Sequence, residues 1–403
     1  MKKPELLAPA GDLIKLKTAI DYGADAVYIG GKAFSLRTAS SNFSYEEMEE
    51  GIKYAHERGR KVYVALNIIA HNKDLAELKD YLRELVELKV DAVIVADLGI
   101  IDIINEYAKE LEIHVSTQAS VTNYKTVEFY KKIGAKRVVL ARELSFEEIK
   151  EIRSKCKDIE IECFVHGAMC ISYSGRCLLS NYMTGRNSNE GDCAQSCRWK
   201  YTLMEEKRPG EYMPVYEDDR GTFIFNSKDL CMIEHIDKII EAGISSLKIE
   251  GRVKSEYYVA TVVKAYRRAI DDYFSNKPFD NALKEEVKKI SHREYTTGFY
   301  FGKPETAQVY TNNSYVRDYE LIGVVKSYDK QKKEVTLIQR NRFFKGDKLE
   351  ILMANGPYIE FYADKMTNEK GEEIEVAPHP NMLVTIPCND EVLEGSFIRK
   401  KRV

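Results

Sequence analysis

The sequence lacks the features that would place the protein in a membrane or outside the cell. Charged residues interrupt the 403-residue chain too often to leave the apolar run of roughly 18 residues that a membrane-spanning helix requires. The N-terminus contains two early lysines but no apolar core of a secretion signal. We therefore expect a cytoplasmic protein without membrane contact, in a reducing compartment where cysteines remain thiols.

The chain also lacks a large net charge and the zinc-protease motif. Its 61 Lys and Arg nearly balance its 64 Asp and Glu, which counts against nucleic acid as a partner of the whole surface but permits a local basic patch. No His-Glu-x-x-His sequence occurs, since His56 and Glu57 are followed by Arg-Gly-Arg. Cys170 and His166 imitate a cysteine-protease dyad, although such partners normally come from separate elements. Proteolysis is therefore the weaker alternative.

Nine short apolar runs are candidate strands, and segments of helical period separate most of them. The runs cover residues 6–9, 26–30, 62–67, 92–97, 113–118, 138–143, 159–166, 222–226 and 247–251. Strand and helix alternating at intervals of about 25 to 30 residues predict parallel strands joined by crossover helices. We predict an α/β fold with a TIM-like barrel, which leaves one run outside its eight strands. An open doubly wound sheet is the alternative.

The sequence pattern changes after residue 275. We assign residues 1–275 to the barrel, with inserted cysteine-rich loops. Residues 276–314 form a linker that contains a short helix and an aromatic, glycine-containing segment. From residue 315 to residue 403, short alternating runs between turn residues predict a small all-β barrel domain.

Five cysteines lie within about sixty residues of one another, which structural disulfides do not explain in a reducing compartment. They are Cys170, Cys177, Cys193, Cys197 and Cys231. Structural zinc sites favour two close pairs of cysteines, about two to four residues apart, and only Cys193 and Cys197 are spaced in this way. Single ligands that reach one point from several loops favour an iron–sulfur cluster, with zinc as the alternative.

Polar residues stand where the predicted strands end. Ten such positions are Asn67, Asp97, Gln118, Arg142, Glu143, His166, Asn226, Lys228, Glu250 and Arg252. In a barrel these positions converge on the carboxyl rim, where such enzymes place their chemistry. Each one alone is compatible with an ordinary strand terminus, but together they favour a polar pocket.

Residues 326–348 form a local basic patch, with eight Lys or Arg against three acidic residues. Phe343 and Phe344 lie between Arg342 and Lys345, as a stacking surface for bases requires. The candidate RNA-binding residues are Lys330, Lys332, Lys333, Arg340, Arg342 and Lys345, to which the tail adds Arg399, Lys400, Lys401 and Arg402. The alternative is a solvated hairpin whose aromatic residues belong to the core.

With these residues in view, the chain resembles the peptidase U32 family, which also carries a collagenase label. Residues 162–180, which include Cys170 and Cys177, match the signature of that family nearly position for position. Further matches are Ala8-Pro9-Ala10-Gly11, residues 25–30, Leu36-Arg37, Ile249-Glu250-Gly251-Arg252 and residues 295–302. The resemblance therefore spans essentially the whole chain.

Within the family, the length and the β domain resemble the branch of prephenate-dependent tRNA hydroxylases, which convert the wobble uridine to 5-hydroxyuridine. The resemblance implies a [4Fe–4S] cluster held by Cys170, Cys177, Cys193 and Cys231, with Cys197 as a fifth candidate. It also implies tRNA, prephenate as cosubstrate and a related U32 subunit as partners. Relatives that hydroxylate a ribosomal RNA cytidine or a quinone precursor supply the alternative substrates.

The resemblance also implies roles for the polar rim. Prephenate carries two carboxylates, so its pocket needs fixed cations with bidentate geometry. The substrate-binding candidates are Arg37, Asn67, Arg142, Arg176, Lys228 and Arg252, and the alternative for each charged one is an ion pair with a neighbouring carboxylate. The catalytic candidates are His166, Gln118 and Glu250. His166 is placed either to act as an acid or base or to hydrogen-bond the loop backbone.

Overall fold

The computed structural model describes residues 2–31, 42–170, 173–174, 177–186, 193–194, 196, 217–218, 221–222, 228–302 and 315–402, with residues 217–218 and 221–222 described by their backbone alone. The strands before residue 303 are β1 Glu5–Pro9, β2 Ala26–Ile29, β3 Lys61–Leu66, β4 Ala92–Val95, β5 Glu112–Val115, β6 Ala135–Val139, β7 Glu160–Ala168, β8 Glu217–Asp218, β9 Gly221–Thr222, β10 Asp229–Cys231, β11 Ser246–Ile249 and β12 Tyr295–Thr296. The α-helices are α1 Leu13–Asp21, α2 Tyr45–His56, α3 Asn72–Glu87, α4 Leu98–Tyr107, α5 Tyr124–Lys132, α6 Phe146–Lys155, α7 Leu179–Thr184, α8 Ile236–Glu241, α9 Glu256–Phe274 and α10 Ala282–Lys288.

Eight parallel strands close into a barrel. The hydrogen-bonded order runs from β1 through β7, and β11 pairs with both β1 and β7, which completes the ring. These strands are largely buried on both faces, which explains their nearly continuous apolar sequences. Of the ninth predicted run, residues 222–226, only Thr222 is described, and its backbone pairs with β8 outside the barrel. The TIM-like prediction is confirmed, and the open-sheet alternative is wrong.

The helices that cover the barrel begin at residues suited to cap them. At the start of α2, the Ser44 hydroxyl accepts a hydrogen bond from the Glu47 N–H, and the Glu47 carboxylate accepts one from the Ser44 N–H. Ser145 and Glu148 repeat this arrangement at α6. Each exchange satisfies N–H groups that the first helical turn leaves without partners. No helix in the described ranges combines the length and the apolar character needed to cross a membrane.

Strand β7 extends beyond the barrel and carries an extra strand. It ends at Ala168, two residues beyond the predicted end of the run at His166. The extension pairs with β10, which runs antiparallel and places Cys231 opposite His166. Strand β10 pairs in turn with β12, in the segment that leads to the C-terminal domain. A continuous ladder therefore joins the barrel to that segment.

The C-terminal domain is an antiparallel β structure. Its strands are β13 Tyr319–Asp329, β14 Glu334–Gln339, β15 Phe343–Phe344, β16 Lys348–Leu352, β17 Ile359–Tyr362, β18 Thr367–Asn368, β19 Val376–Ala377, β20 Leu383–Pro387 and β21 Phe397–Lys401. Seven of them pair in the order β17-β16-β21-β13-β14-β20-β18, and β15 pairs with β19. The domain packs on the barrel, where the Tyr22 hydroxyl donates to the Leu352 carbonyl and the Lys264 ammonium donates to the Met353 carbonyl. The all-β prediction is confirmed.

Candidate active site

The carboxyl end of the barrel gathers five of the predicted site residues. Asn67 follows β3, Gln118 follows β5, Arg142 follows β6, and Glu250 and Arg252 follow β11. Because the carboxyl ends of parallel barrel strands share one rim, the fold brings these side chains to the same end. Four further candidates lie outside the described residues: Arg37, Arg176, Cys197 and Asn226.

The loop after β5 carries two buried polar atoms without partners. Gln118 lies in the single 3₁₀ turn Thr117–Ala119, and its buried Oε1 atom accepts no hydrogen bond from the described residues. Ser120 ends this turn with φ 54° and ψ 47°, and its buried hydroxyl also has no partner in the described ranges. The Thr117 hydroxyl donates to the Leu140 carbonyl at 3.1 Å, which holds the loop against the end of β6. Buried polar atoms are normally hydrogen-bonded, so this loop is suited to a polar ligand.

Arg142 lies beside that loop and is positioned by β7. Its Nη1 donates to the Ala168 carbonyl at 2.6 Å, and its guanidinium lies 4.0 Å from the centre of the Phe164 ring. Its Nε is buried and has no hydrogen-bond partner among the residues that the structure describes. Within the described part of the chain Arg142 forms no ion pair, which leaves its charge for an anionic ligand.

A network of buried charges fills the barrel beneath this end. The Glu162 carboxylate binds Lys248 Nζ at 2.8 Å and Arg137 Nη1 at 3.0 Å. Arg137 on β6 also binds Glu5 on β1 at 2.6 Å, and because β1 and β6 are not neighbours in the sheet, this contact crosses the interior. Burial alone would raise the pKa of Glu162, but the charges of Lys248 and Arg137 outweigh it and lower the pKa to about 2.

This network was not predicted from the sequence. Arg137, Glu162 and Lys248 alternate with apolar residues inside β6, β7 and β11. Successive residues of a strand point to opposite faces of the sheet, so charged residues that alternate with apolar ones lie on one face. This alternation is the sequence pattern from which the network could have been predicted.

His166 is buried at the junction of β7 and β10. Its Nδ1 lies 3.3 Å from the Tyr266 hydroxyl, and its Nε2 lies 3.5 Å from the Tyr295 hydroxyl. Burial, with smaller contributions from His292 and Lys254, lowers the pKa of His166 to about 3. The imidazole is therefore neutral at physiological pH, and its role as an acid or base stays a prediction.

Tyr266 of α9 ties the two strands together and was not predicted as a site residue. Its hydroxyl donates to the Val165 carbonyl at 2.8 Å and accepts from the Met232 N–H at 3.0 Å. The Cys231 Sγ lies 4.0 Å from the same hydroxyl. Since Tyr266 is distant in sequence and lies in a largely apolar helix, no local pattern pointed to it.

Glu250 and Arg252 are buried beside the segment that follows β1. The Glu250 N–H donates to the His166 carbonyl at 2.8 Å, which places this turn against β7. A Cβ atom at Gly11 would lie 2.1 Å from the Arg252 carbonyl oxygen, so a side chain cannot fit there. The close approach of these two backbones explains why glycine stands at residue 11.

Two of the predicted rim residues have partners that account for them structurally. Lys228 Nζ lies 3.1 Å from the Glu294 carboxylate, which is the ion pair given above as its alternative role. Asp97 caps α4, where its carboxylate accepts hydrogen bonds from the N–H groups of Gly99 and Ile100. Neither residue therefore needs a substrate to explain its position.

Two of the four predicted cluster ligands lie at the end of β7. Cys170 follows this strand by two residues, and Cys231 lies on the adjacent β10. The Ala194 N–H donates to the Ser180 hydroxyl at 2.9 Å, which brings the segment containing Cys193 to helix α7, close in sequence to Cys177. Thiolates are the ligands that iron–sulfur clusters require, so the donors suit such a group in kind. Within the described ranges, however, no three His, Cys, Asp or Glu side chains come together as metal ligands do.

The basic patch of the C-terminal domain is partly neutralised. Lys330 pairs with Glu391 at 2.5 Å, and Lys345 pairs with Glu373 and Glu375 at 3.0 and 2.9 Å. The Arg340 guanidinium donates to the Asn381 side chain at 2.6 Å. Lys332, Lys333 and Arg342 are exposed, and none of the three forms an ion pair with another described residue.

The aromatic residues and the tail contribute less to this patch than the sequence indicated. Phe343 is completely buried in the core, whereas Phe344 is half exposed. Arg399 is also fully buried, and Lys400 pairs with Asp347 at 2.8 Å. The assignment of Arg399 to a basic surface is therefore wrong, because this residue serves the contact between the two domains.

An α/β barrel whose carboxyl end carries buried polar atoms without partners in the described part of the chain has the architecture of a barrel enzyme with a substrate pocket. The chain belongs to the peptidase family U32. The family model matches residues 11–310, and the model of the U32 C-terminal domain matches residues 317–399.

Members of the family similar to this chain include proteins named for RNA hydroxylation. The chain is 46% identical to the tRNA hydroxylation protein P1 of Bacillus subtilis (strain 168), over 99% of this chain and 95% of that protein. It is 41% identical to the tRNA hydroxylation protein P of Escherichia coli (strain K12), over 97% of this chain and 95% of that protein. A 23S rRNA 5-hydroxycytidine synthase of Escherichia coli is 38% identical over 66% of this chain and 39% of that protein.

Proposed function

We propose that the chain is an RNA-modifying enzyme that hydroxylates the wobble uridine of tRNA to 5-hydroxyuridine, with prephenate as cosubstrate. The observation that carries this proposal is its 46% identity, over nearly the full length of both chains, to a protein named for tRNA hydroxylation. The similarity includes the C-terminal domain, which supplies exposed cations for an RNA backbone.

The barrel end contains groups suited to a dicarboxylate. Arg142 presents a guanidinium without a described ion-pair partner, and a guanidinium binds a carboxylate through two parallel hydrogen bonds. We assign Arg142 and Arg252 to prephenate binding, and Arg37 and Arg176 join them as candidates on sequence alone. Gln118, Glu250 and the neutral His166 would orient the reactants.

We also propose that Cys170, Cys177, Cys193 and Cys231 hold a [4Fe–4S] cluster, which would supply one-electron redox chemistry. The support is the kind of donor, the position of Cys170 and Cys231 at the end of β7, and the hydrogen bond that brings the segment of Cys193 to α7. Residues of this chain would fix the Cys231 strand: Tyr266 bonds β10 to β7 through its hydroxyl. We place the enzyme in the cytoplasm, with tRNA and a second U32 chain as its partners.

The test is to incubate the anaerobically purified protein with tRNA that lacks the modification, with and without prephenate. We expect 5-hydroxyuridine, measured by mass spectrometry of nucleosides, only when prephenate is present. An Arg142→Leu variant should need more prephenate for half-maximal rate, whereas Arg83→Leu, an exposed change on α3, should behave as the unsubstituted protein. Product on ribosomal RNA instead of tRNA would favour the alternative suggested by the 5-hydroxycytidine synthase. Peptide cleavage without any nucleoside product would favour the peptidase alternative.

A further inference from the structure

We propose that Gln118 and Ser120 form the subsite that reads the Watson–Crick edge of the uracil to be modified. The proposal rests on the function proposed above and specifies which residues distinguish uracil from cytosine.

The two side chains are held by a short, well-fixed loop. The Ser116 hydroxyl accepts a hydrogen bond from the Gln118 N–H at 3.3 Å, and the Ser120 N–H donates to the Thr117 carbonyl at 2.9 Å. Ser120 adopts a left-handed backbone, which is uncommon for a residue other than glycine. The loop also bonds to the following strand, since the Ala141 N–H donates to the Val121 carbonyl at 3.0 Å. The positions of Gln118 and Ser120 are therefore set before any ligand arrives.

The polar ends of Gln118 and Ser120 are not satisfied by the described part of the protein. Gln118 Oε1 and Ser120 Oγ are buried without hydrogen-bond partners among the described residues, and so is Arg142 Nε on the adjacent loop. A buried polar group that stays unsatisfied costs free energy, so three such atoms on neighbouring loops at one barrel end indicate a ligand that supplies the missing bonds. Gln118 and Ser120 offer one acceptor, Gln118 Oε1, together with donors from the Gln118 amide and the Ser120 hydroxyl, while Arg142 is kept for the carboxylate of the cosubstrate.

This set of groups complements uracil. The Watson–Crick edge of uracil has one donor, N3–H, between two acceptors, O2 and O4. Cytosine has an acceptor at N3 and an amino donor at C4. Its N3 would therefore face Gln118 Oε1 with no hydrogen between the two acceptors. Enzymes that modify a base commonly take it out of the stack and read this edge by hydrogen bonds. Binding by this edge also leaves C5, the carbon that gains the hydroxyl, on the opposite side of the ring and free to react.

The experiment measures the binding of RNA stem–loops that differ only at the target nucleotide, which is uridine, cytidine or N3-methyluridine. The full-length protein should bind the uridine form at least about tenfold more tightly than the other two, because they leave a buried acceptor without a donor. In Gln118→Leu this preference should disappear. Ser120→Gly removes the hydroxyl from a backbone position that suits glycine, and should reduce the preference. Gln331→Leu makes the same substitution on an exposed turn of the C-terminal domain and should retain the full preference.

Two results would overturn the subsite and leave the enzyme intact. One is an equal affinity of the unsubstituted protein for the uridine and N3-methyluridine stem–loops while tRNA is still hydroxylated. The other is a Gln118→Leu variant that keeps the preference, which would mean that water satisfies these atoms. A protein that neither binds the stem–loops nor hydroxylates tRNA would remove the proposed function and the subsite together.

Discussion

Arg399 of β21 and Glu286 of α10 form a bidentate ion pair, in which the Nη1–Oε1 and Nη2–Oε2 distances are both 2.7 Å. Arg399 is fully buried, and Glu286 is only 3% exposed. A third contact joins Arg399 Nε to Glu350 at 3.1 Å. Since α10 follows the last barrel helix, this pair fixes the C-terminal domain against the barrel.

Removing one partner of this ion pair should weaken the protein strongly. We expect Arg399→Met to lower the free energy of unfolding by about 3–5 kcal/mol, because the buried Glu286 carboxylate would lose its bidentate partner and keep only Lys289 Nζ at 3.5 Å. Denaturant unfolding measures the change. The matched control Lys330→Met breaks an exposed pair with Glu391 and should change the free energy by about 1 kcal/mol or less. Similar losses of unfolding free energy in the two variants would show that burial does not make the Arg399 ion pair more important than an exposed one.

Glu162 should make stability depend on pH in the acid range. Its pKa is lowered from 4.5 to about 2 in the folded protein, so between these values the folded state binds fewer protons than the unfolded chain. The stabilisation is therefore complete above pH 4.5 and is lost as the pH falls toward 2. We expect Glu162→Gln to cost roughly 2–3 kcal/mol at pH 7 and progressively less below pH 4.5, as followed by urea unfolding at several pH values. An exposed change, Glu49→Gln, should leave the pH profile unaltered, and a cost for Glu162→Gln that is constant with pH would refute the assignment.

The cysteines can be tested without an activity assay. Anaerobically purified protein should show a broad absorbance near ~400 nm with about four irons per chain, and Cys231→Ser should lose most of this iron. The control is Cys163→Ser, which changes a buried thiol of β7 that is not a predicted ligand. This variant should retain the iron. A colourless protein with one zinc per chain would contradict the cluster.

The exposed cations of the C-terminal domain should contribute to tRNA affinity. Replacing Lys332 and Arg342 by Gln, and Lys333 by Asn, should weaken tRNA binding. The slope of the logarithm of the binding constant against the logarithm of the salt concentration should become shallower by about two to three, because fewer counterions are released on binding. Asn suits position 333, where the backbone φ is 56°. The comparison is Lys330→Gln with Lys345→Gln, since these lysines already pair with carboxylates and should have smaller effects. Equal tRNA binding and salt slopes in the triple variant and the unsubstituted protein would exclude this surface.

The apolar runs were enough to predict the barrel, because strands buried on both faces have recognisable sequences. The same reasoning led to Gln118 and Arg142, which stand at the ends of such runs. It did not lead to Ser120, whose signal is a backbone angle, or to Tyr266, whose contacts depend on how α9 packs. The basic tail shows the opposite error. A run of cations suggests a surface, but burial of Arg399 depends on Glu286, which is 113 residues away in sequence. Tertiary pairing of this kind leaves no local pattern.

During synthesis on a ribosome, the chain emerges from its N-terminus. Strands β1 to β7 are then available early, but the ring stays open until β11, residues 246–249, has followed. The strand that carries Cys231 gains its second neighbour later still, when Tyr295 and Thr296 of β12 arrive. Cys231, the cysteine opposite His166, therefore reaches its final position late in biosynthesis. A truncated nascent chain would contain the cysteines that follow β7 without β10, the strand that carries Cys231.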